Sequence, residues 1–158
     1  MTPILPPFTA VEGQCLPAAV AVLFGTPETL DVFKPKRFGY LLTELGRMLP
    51  EGLWFDVIYS DKDRKSGAAS ALSAASTLSE RFMMAFFVQH EHHVVLYLID
   101  STGNNIYGFD LLRGRAAKVS QDAFLRSKIT AVATIVQPHS NSFFGIDASS
   151  VPHLFNRK

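Results

Sequence analysis

The chain has 158 residues, 47% of them apolar and 18% charged, the composition of one core-forming domain rather than of a disordered segment. Fifteen Lys+Arg against fourteen Asp+Glu leave a net charge of +1, so no global field draws in a nucleic-acid backbone. The dense charge clusters, Lys34-Pro35-Lys36-Arg37 and the mixed-sign Asp61-Lys62-Asp63-Arg64-Lys65, make no basic patch, and no nucleic-acid partner is expected.

Residues Met1 to Gln14 carry Pro3, Pro6, Pro7 and Gly13 and read as extended or looped chain. From Cys15 the sequence becomes Ala-rich and apolar up to Phe24, with Pro17 in the first turn, where its missing N–H is harmless, and Gly25 and Pro27 as stops. This predicts a short buried helix over about Cys15 to Phe24. A second helix is predicted over Arg37 to Met48, from Phe38, Leu41, Leu42, Leu45 and Leu49 at helical spacing before Pro50. Leu53 to Tyr59 alternates as a strand, and Ser66 to Arg81, rich in Ala and Ser, reads as a helix capped by Ser66. Tyr40, Trp54 and the Phe residues are expected in the core.

Strand composition then takes over in Phe82 to Gln89, His92 to Asp100, Asn104 to Asp110 and Ile129 to Gln137. Ser101 to Asn105 is a hairpin turn with Gly103 and Asn104 in the positive-φ positions and Asp100 as its hydrogen-bonding residue. Ser120 to Arg126 forms one or two helical turns, with Ala123 and Phe124 facing in. The order, helices then an antiparallel sheet, predicts an α+β fold in a single domain over residues 1–158, with a core in about 8–137 and an irregular tail in 138–158. The longest apolar runs, Phe82 to Val88 and Val94 to Ile99, fall far short of the roughly 20 residues of a membrane-spanning helix. The first basic side chain is Lys34, so no charged region precedes an apolar one as in a signal peptide, and a soluble protein without a membrane partner is expected.

One cysteine excludes an internal disulfide framework and a zinc site of the paired-Cys type. Cys15 is therefore an inert buried thiol or a nucleophile. Its position at the first turn of the predicted helix favours a lowered thiol pKa, with unpaired N–H groups there for a thiolate and an oxyanion. Gly13 would let a substrate approach the backbone closely. The run Gln89-His90-Glu91-His92-His93 puts three imidazoles at the mouth of a strand, and Asp110 on the return strand lies beside that mouth, where a carboxylate orients an imidazole. Neighbouring strand residues alternate sides, so the three His cannot all ligate one ion, and neither a metal nor another cofactor is expected.

These motifs resemble those of papain-like cysteine peptidases of the compact bacterial kind. The closest likeness is to the peptidases that process double-glycine leader peptides of bacteriocins and to papain-fold toxin domains of interbacterial effectors. The match lies in Gln14-Cys15-Leu16-Pro17-Ala18-Ala19, in His92-His93-Val94-Val95-Leu96-Tyr97, which selects His92 over His93, and in Tyr107-Gly108-Phe109-Asp110. It spans roughly residues 8 to 137. The resemblance implies a papain-like fold, with N-terminal helices packed on a C-terminal antiparallel sheet. It also implies a thiol protease with Cys15 as nucleophile, His92 (or His93) as acid–base and Asp110 as orienting group. The family's oxyanion-hole Gln, six residues before the Cys, is replaced by Thr9, so the expected donors are the Cys15 N–H with Gln14 or Thr9; Leu111 stands where Pro usually follows the Asp. These departures, and no attached transporter segment, point to a free-standing effector or toxin. It would be delivered by a secretion system to act in a target-cell cytoplasm on a protein or peptide substrate, with a cognate immunity or inhibitor protein in the producer. A glutamine deamidase or amide hydrolase on the same triad, and a non-catalytic binding module, are the alternatives.

Overall fold

A computed structural model describes residues 1–5, 12–37, 39–61, 66–91, 93–140 and 142–156. The fold is α+β. An eight-stranded antiparallel sheet forms its middle layer, built from β2 (Trp54–Ser60), β3 (Phe82–His90), β4 (His93–Asp100), β5 (Ile106–Asp110), β6 (Arg115–Val119) and β7 (Ala131–Gln137) in the order β2-β7-β3-β4-β5-β6. Short strands β8 (Ser142–Phe143) and β9 (Ile146–Asp147) add to β7 and β3. Among the described residues no helix is long and apolar enough to cross a membrane.

The sheet is covered on both faces, which explains why β3 and β4 are nearly continuous apolar runs rather than alternating ones. On one face α1 (Cys15–Phe24) lays Ala18, Ala19, Val22 and Leu23 over Ala85, Phe87, Leu96, Leu98 and Phe109. On the other, α3 (Gly67–Ala75) and α4 (Gln121–Arg126) set Ala68, Ala71, Ala75 and Phe124 against Met84, Phe86, Val88, Val95, Tyr97 and Ile99. The small side chains of α3 let its backbone pack close to the sheet.

α1 has the predicted bounds and ends in a Schellman-type closure, Thr26 N–H to Ala21 C=O at 2.9 Å beyond a left-handed Gly25. The helix expected over Arg37 to Met48 is shorter: α2 covers Leu42–Leu45 and continues as a 3-10 turn over Gly46–Met48, while Phe38 lies outside the described residues. Leu41 is extended, and Glu44 Oε2 takes its N–H at 2.7 Å, starting the helix there instead. α3 begins at the expected Ser66 cap, whose Oγ accepts from Ala69 N–H at 3.3 Å. It stops at Ala75 instead of running to Arg81, since Ser76 and Thr77 turn their hydroxyls onto the Ser73 and Ala74 carbonyls.

In β2 a bulge between Val57 and Tyr59 breaks the simple alternation, so Phe55 packs into the α1-side core and Tyr59 into the α3-side core. Val57 is left exposed, and Trp54 is 47% exposed rather than in the core. The Asp100 carboxylate organises the β4–β5 turn as expected, accepting from Thr102, Asn105 N–H and Asn105 Nδ2. Gly103 has positive φ there and Asn104 does not. Phe124 is buried and Ala123, expected beside it, is exposed. The segment after Gln137 carries more structure than its sequence suggests. Val151, Leu154 and Phe155 belong to the α1-side core, and β10 (Phe155–Asn156) pairs with β1 (Thr2–Pro3).

Candidate active site

Cys15 is the first residue of α1, and it sits against the start of β4. The preceding Gly13 (φ 82°) crosses the chain at Lys36: its C=O accepts from Lys36 N–H at 3.1 Å, and a Cβ would lie 2.0 Å from the Lys36 carbonyl oxygen. The close approach expected of Gly13 is thus to the protein's own backbone. Cys15 lines a cavity of about 470 Å³ with Glu12, Leu16, Arg37, Tyr40, Glu91 and His93. Tyr40, expected in the core, packs half-buried against it with its ring 5.6 Å from that of Phe33, and also forms part of this wall; its hydroxyl donates to the Lys34 carbonyl.

His93 opens β4, and its Nε2 lies 3.1 Å from Asp110 Oδ2 at the end of β5. A carboxylate oxygen only accepts, so Nε2 carries the proton and Nδ1 is the nitrogen able to take another. Asp110 is itself fixed: its Oδ1 accepts from Arg113 N–H at 3.1 Å, which turns the chain from β5 towards β6. His90 pairs with His93 across the β3–β4 register, with the two rings 5.8 Å apart. Glu91, in the turn between the strands, has φ 52° and lines the cavity with Cys15 as well as a second one of about 580 Å³. That second cavity lies along His90, His93, Tyr97, Gly108, Asp110 and Arg113.

Burial pushes the Cys15 thiol above its ordinary pKa; a hydrogen bond from the Val94 backbone opposes this, and the charges of Asp110 and Glu12 add to the rise. The lowering expected from the helix N-terminus is therefore outweighed by burial. Such a thiol reacts when a neighbouring base takes its proton.

Of the predicted site residues, Cys15 and His93 line one cavity and Asp110 is bonded to His93. His92 and Thr9 lie outside the described residues. Gln14, expected to serve an oxyanion, uses its amide differently: Nε2 donates to the Leu30 and Phe33 carbonyls at 3.3 and 3.1 Å, tying α1 to the loop that follows it. Gly108, a candidate for the substrate cleft, leaves room for Tyr97, whose Cε1 would lie 3.1 Å from an added Cβ. Sequence reasoning gave no place in this cavity to Glu12, Arg37, Tyr40 or Glu91, which come from three separate connections and carry no joint spacing signal.

Among the described residues no three His, Cys, Asp or Glu side chains gather as a metal site. No family model, no curated protein and no solved structure matches the chain.

Proposed function

We propose that this chain is a papain-like cysteine peptidase acting as a toxin or effector domain, which cleaves a target protein by acyl transfer. Cys15 is the nucleophile, His93 the acid–base and Asp110 the group that orients it. The observation that carries this reading is the hydrogen bond between His93 Nε2 and Asp110, on an imidazole that shares a cavity with the only thiol in the chain. His92, favoured by the resemblance, is the competing base; the bond to Asp110 supports His93.

In the reaction the imidazole takes the Cys15 proton and Sγ bonds to the substrate carbonyl carbon. The imidazolium then gives its proton to the leaving nitrogen as the C–N bond breaks. Water, deprotonated by the same imidazole, adds to the thioester and frees Cys15. Asp110 stabilises the cation in between.

The test is alkylation of Cys15 by iodoacetamide, followed by intact mass between about pH 4 and pH 9, in the wild type, His92→Ala and His93→Ala. Labelling that persists well below the thiol's ordinary range and is slowed by His93→Ala supports the triad as stated. Slowing by His92→Ala alone moves the base to His92. Labelling that is slow until the protein unfolds makes Cys15 a core thiol and the chain a non-catalytic module. With a substrate in hand, ammonia release without chain cleavage would make the enzyme a deamidase.

A further inference from the structure

The wall behind His93 is built with more care than a surface histidine needs. His90 lies directly opposite it in the β3–β4 register, and the planes of the two rings are inclined by 32°. His90 is tethered at both nitrogens. Nδ1 lies 2.9 Å from the Lys128 carbonyl oxygen, an acceptor only, so Nδ1 carries a proton. Nε2 lies 3.2 Å from the Tyr97 hydroxyl. Tyr97 stays a phenol, because burial, with Asp110 adding to it, pushes its pKa up to about 12. Its O–H therefore donates to Nε2, and His90 is held neutral in the Nδ1–H form.

Tyr97 is anchored in turn. Its ring packs on Phe124 at 5.0 Å between centroids, and it occupies the space that Gly108 leaves open. The four side chains His90, His93, Tyr97 and Asp110 all line the second cavity, which Cys15 does not line. The groups facing His90 are His93 and Tyr97 from β4, Asp110 at the end of β5, Arg113 in the turn after it, and the Lys128 carbonyl from the link between α4 and β7. Burial, and then the nearby His93, hold its pKa below the usual histidine value; the Lys128 carbonyl opposes them.

We propose that His90, locked by the Tyr97 hydroxyl and the Lys128 carbonyl, is the positioning residue for His93, fixing the plane in which that imidazole meets Asp110 and exchanges its proton. The inference rests on His93 being the base of the proposed enzyme. A tethered neutral ring supports one orientation of its neighbour and adds no charge against an imidazolium. An untethered His90 rotates freely or takes a proton itself, and does neither.

Two variants test this. Tyr97→Phe removes one oxygen and keeps the ring on Phe124; His90→Leu removes the tether and the neighbouring ring together. Each is compared with wild type and His93→Ala for the pH profile of Cys15 alkylation, with thermal melting to establish folding and ¹⁵N-imidazole NMR to read tautomers. The expected result is alkylation at about pH 6 slowed about fivefold in both folded variants, and in Tyr97→Phe a shifted Nε2 resonance of a His90 that keeps its Nδ1 proton on the Lys128 carbonyl. Should His90→Leu fail to fold, Tyr97→Phe decides alone. The proposal is overturned if the variant profiles superpose on wild type while His93→Ala is slow; the triad then stands without a positioning residue. If His93→Ala itself behaves as wild type, the base assignment falls and this inference with it.

Discussion

His93 and Asp110 meet at 3.1 Å with side chains only 11% and 13% exposed, so their hydrogen bond is largely out of water. In the proposed triad Asp110 acts on Cys15 in two opposing ways, supporting the imidazole that would take the thiol proton while its charge raises the thiol pKa directly. Asp110→Asn should therefore cross the wild-type alkylation profile. Labelling is expected to be about tenfold slower near pH 6, where the imidazole is needed, and equal or faster only well above pH 9, where the thiol ionises unaided. A variant profile parallel to wild type at all pH values would remove Asp110 from the site.

Gly13→Ala is expected to cost at least about 2 kcal/mol, because the backbone there is in the left-handed region and the added Cβ would meet the Lys36 carbonyl. Urea denaturation measures the loss. Cys15 alkylation of the remaining folded protein should change too, since this crossing sets the chain that leads into α1.

The last segment is core. Leu154 is fully buried, and Phe155 stacks edge-on against Tyr107 at 4.9 Å. Leu154→Ala should destabilise by about 2–5 kcal/mol, the range for a buried leucine, and a chain ended at Gln137 should fail to give a cooperative melt. An unchanged urea midpoint for Leu154→Ala would contradict the packing.

Burial pushes the Asp100 carboxyl up, but hydrogen bonds from Asn105, Thr102 and Gly103 together outweigh it and leave its pKa below the ordinary 3.8. The stability it contributes is present above the unfolded-state pKa and is lost as pH falls through the folded one. His90, also lowered, contributes an earlier acid loss that begins as pH falls through its unfolded value of 6.5, where the unfolded state takes up the proton first. Urea midpoints measured from about pH 8 to pH 2 should fall in two stages, with Asp100→Asn flattening the lower and His90→Leu the upper.

Much of this architecture is legible in the residues themselves. Pro17 inside the first turn and Gly25 after the last fix α1 almost to the residue, and the Ser66 and Ser120 caps start two further helices. The four long strands announce themselves by aromatic and β-branched composition. β6 does not, because an edge strand with the sequence Arg-Ala-Ala-Lys-Val has little apolar content to show. The final segment hides for another reason: Val151, Leu154 and Phe155 reach the core from short turns that impose no period.

Within the candidate site, the nearness of Asp110 to the mouth of β4 is readable from local context, but which of the adjacent histidines meets it is not. A shift of one residue turns a strand side chain to the opposite face, and pattern alone does not fix where the β3–β4 turn places that parity. Gln14 illustrates a different limit. An amide next to a thiol looks like an oxyanion donor until the two carbonyls that claim it, supplied by a loop well downstream, are seen.

The pairing of β1 with β10, Thr2 opposite Asn156 and Pro3 opposite Phe155, brings the two ends of the described chain side by side. Such a molecule is suited to circular permutation: a short Gly/Ser linker joins the ends, and new termini open in the exposed turn at Thr102. The permuted order would start on β5 and finish on β4, making separate halves of the hairpin that carries Asp110 on one arm and His93 on the other. Splitting the chain there and mixing the fragments would give a thiol whose reactivity reports on their reassembly.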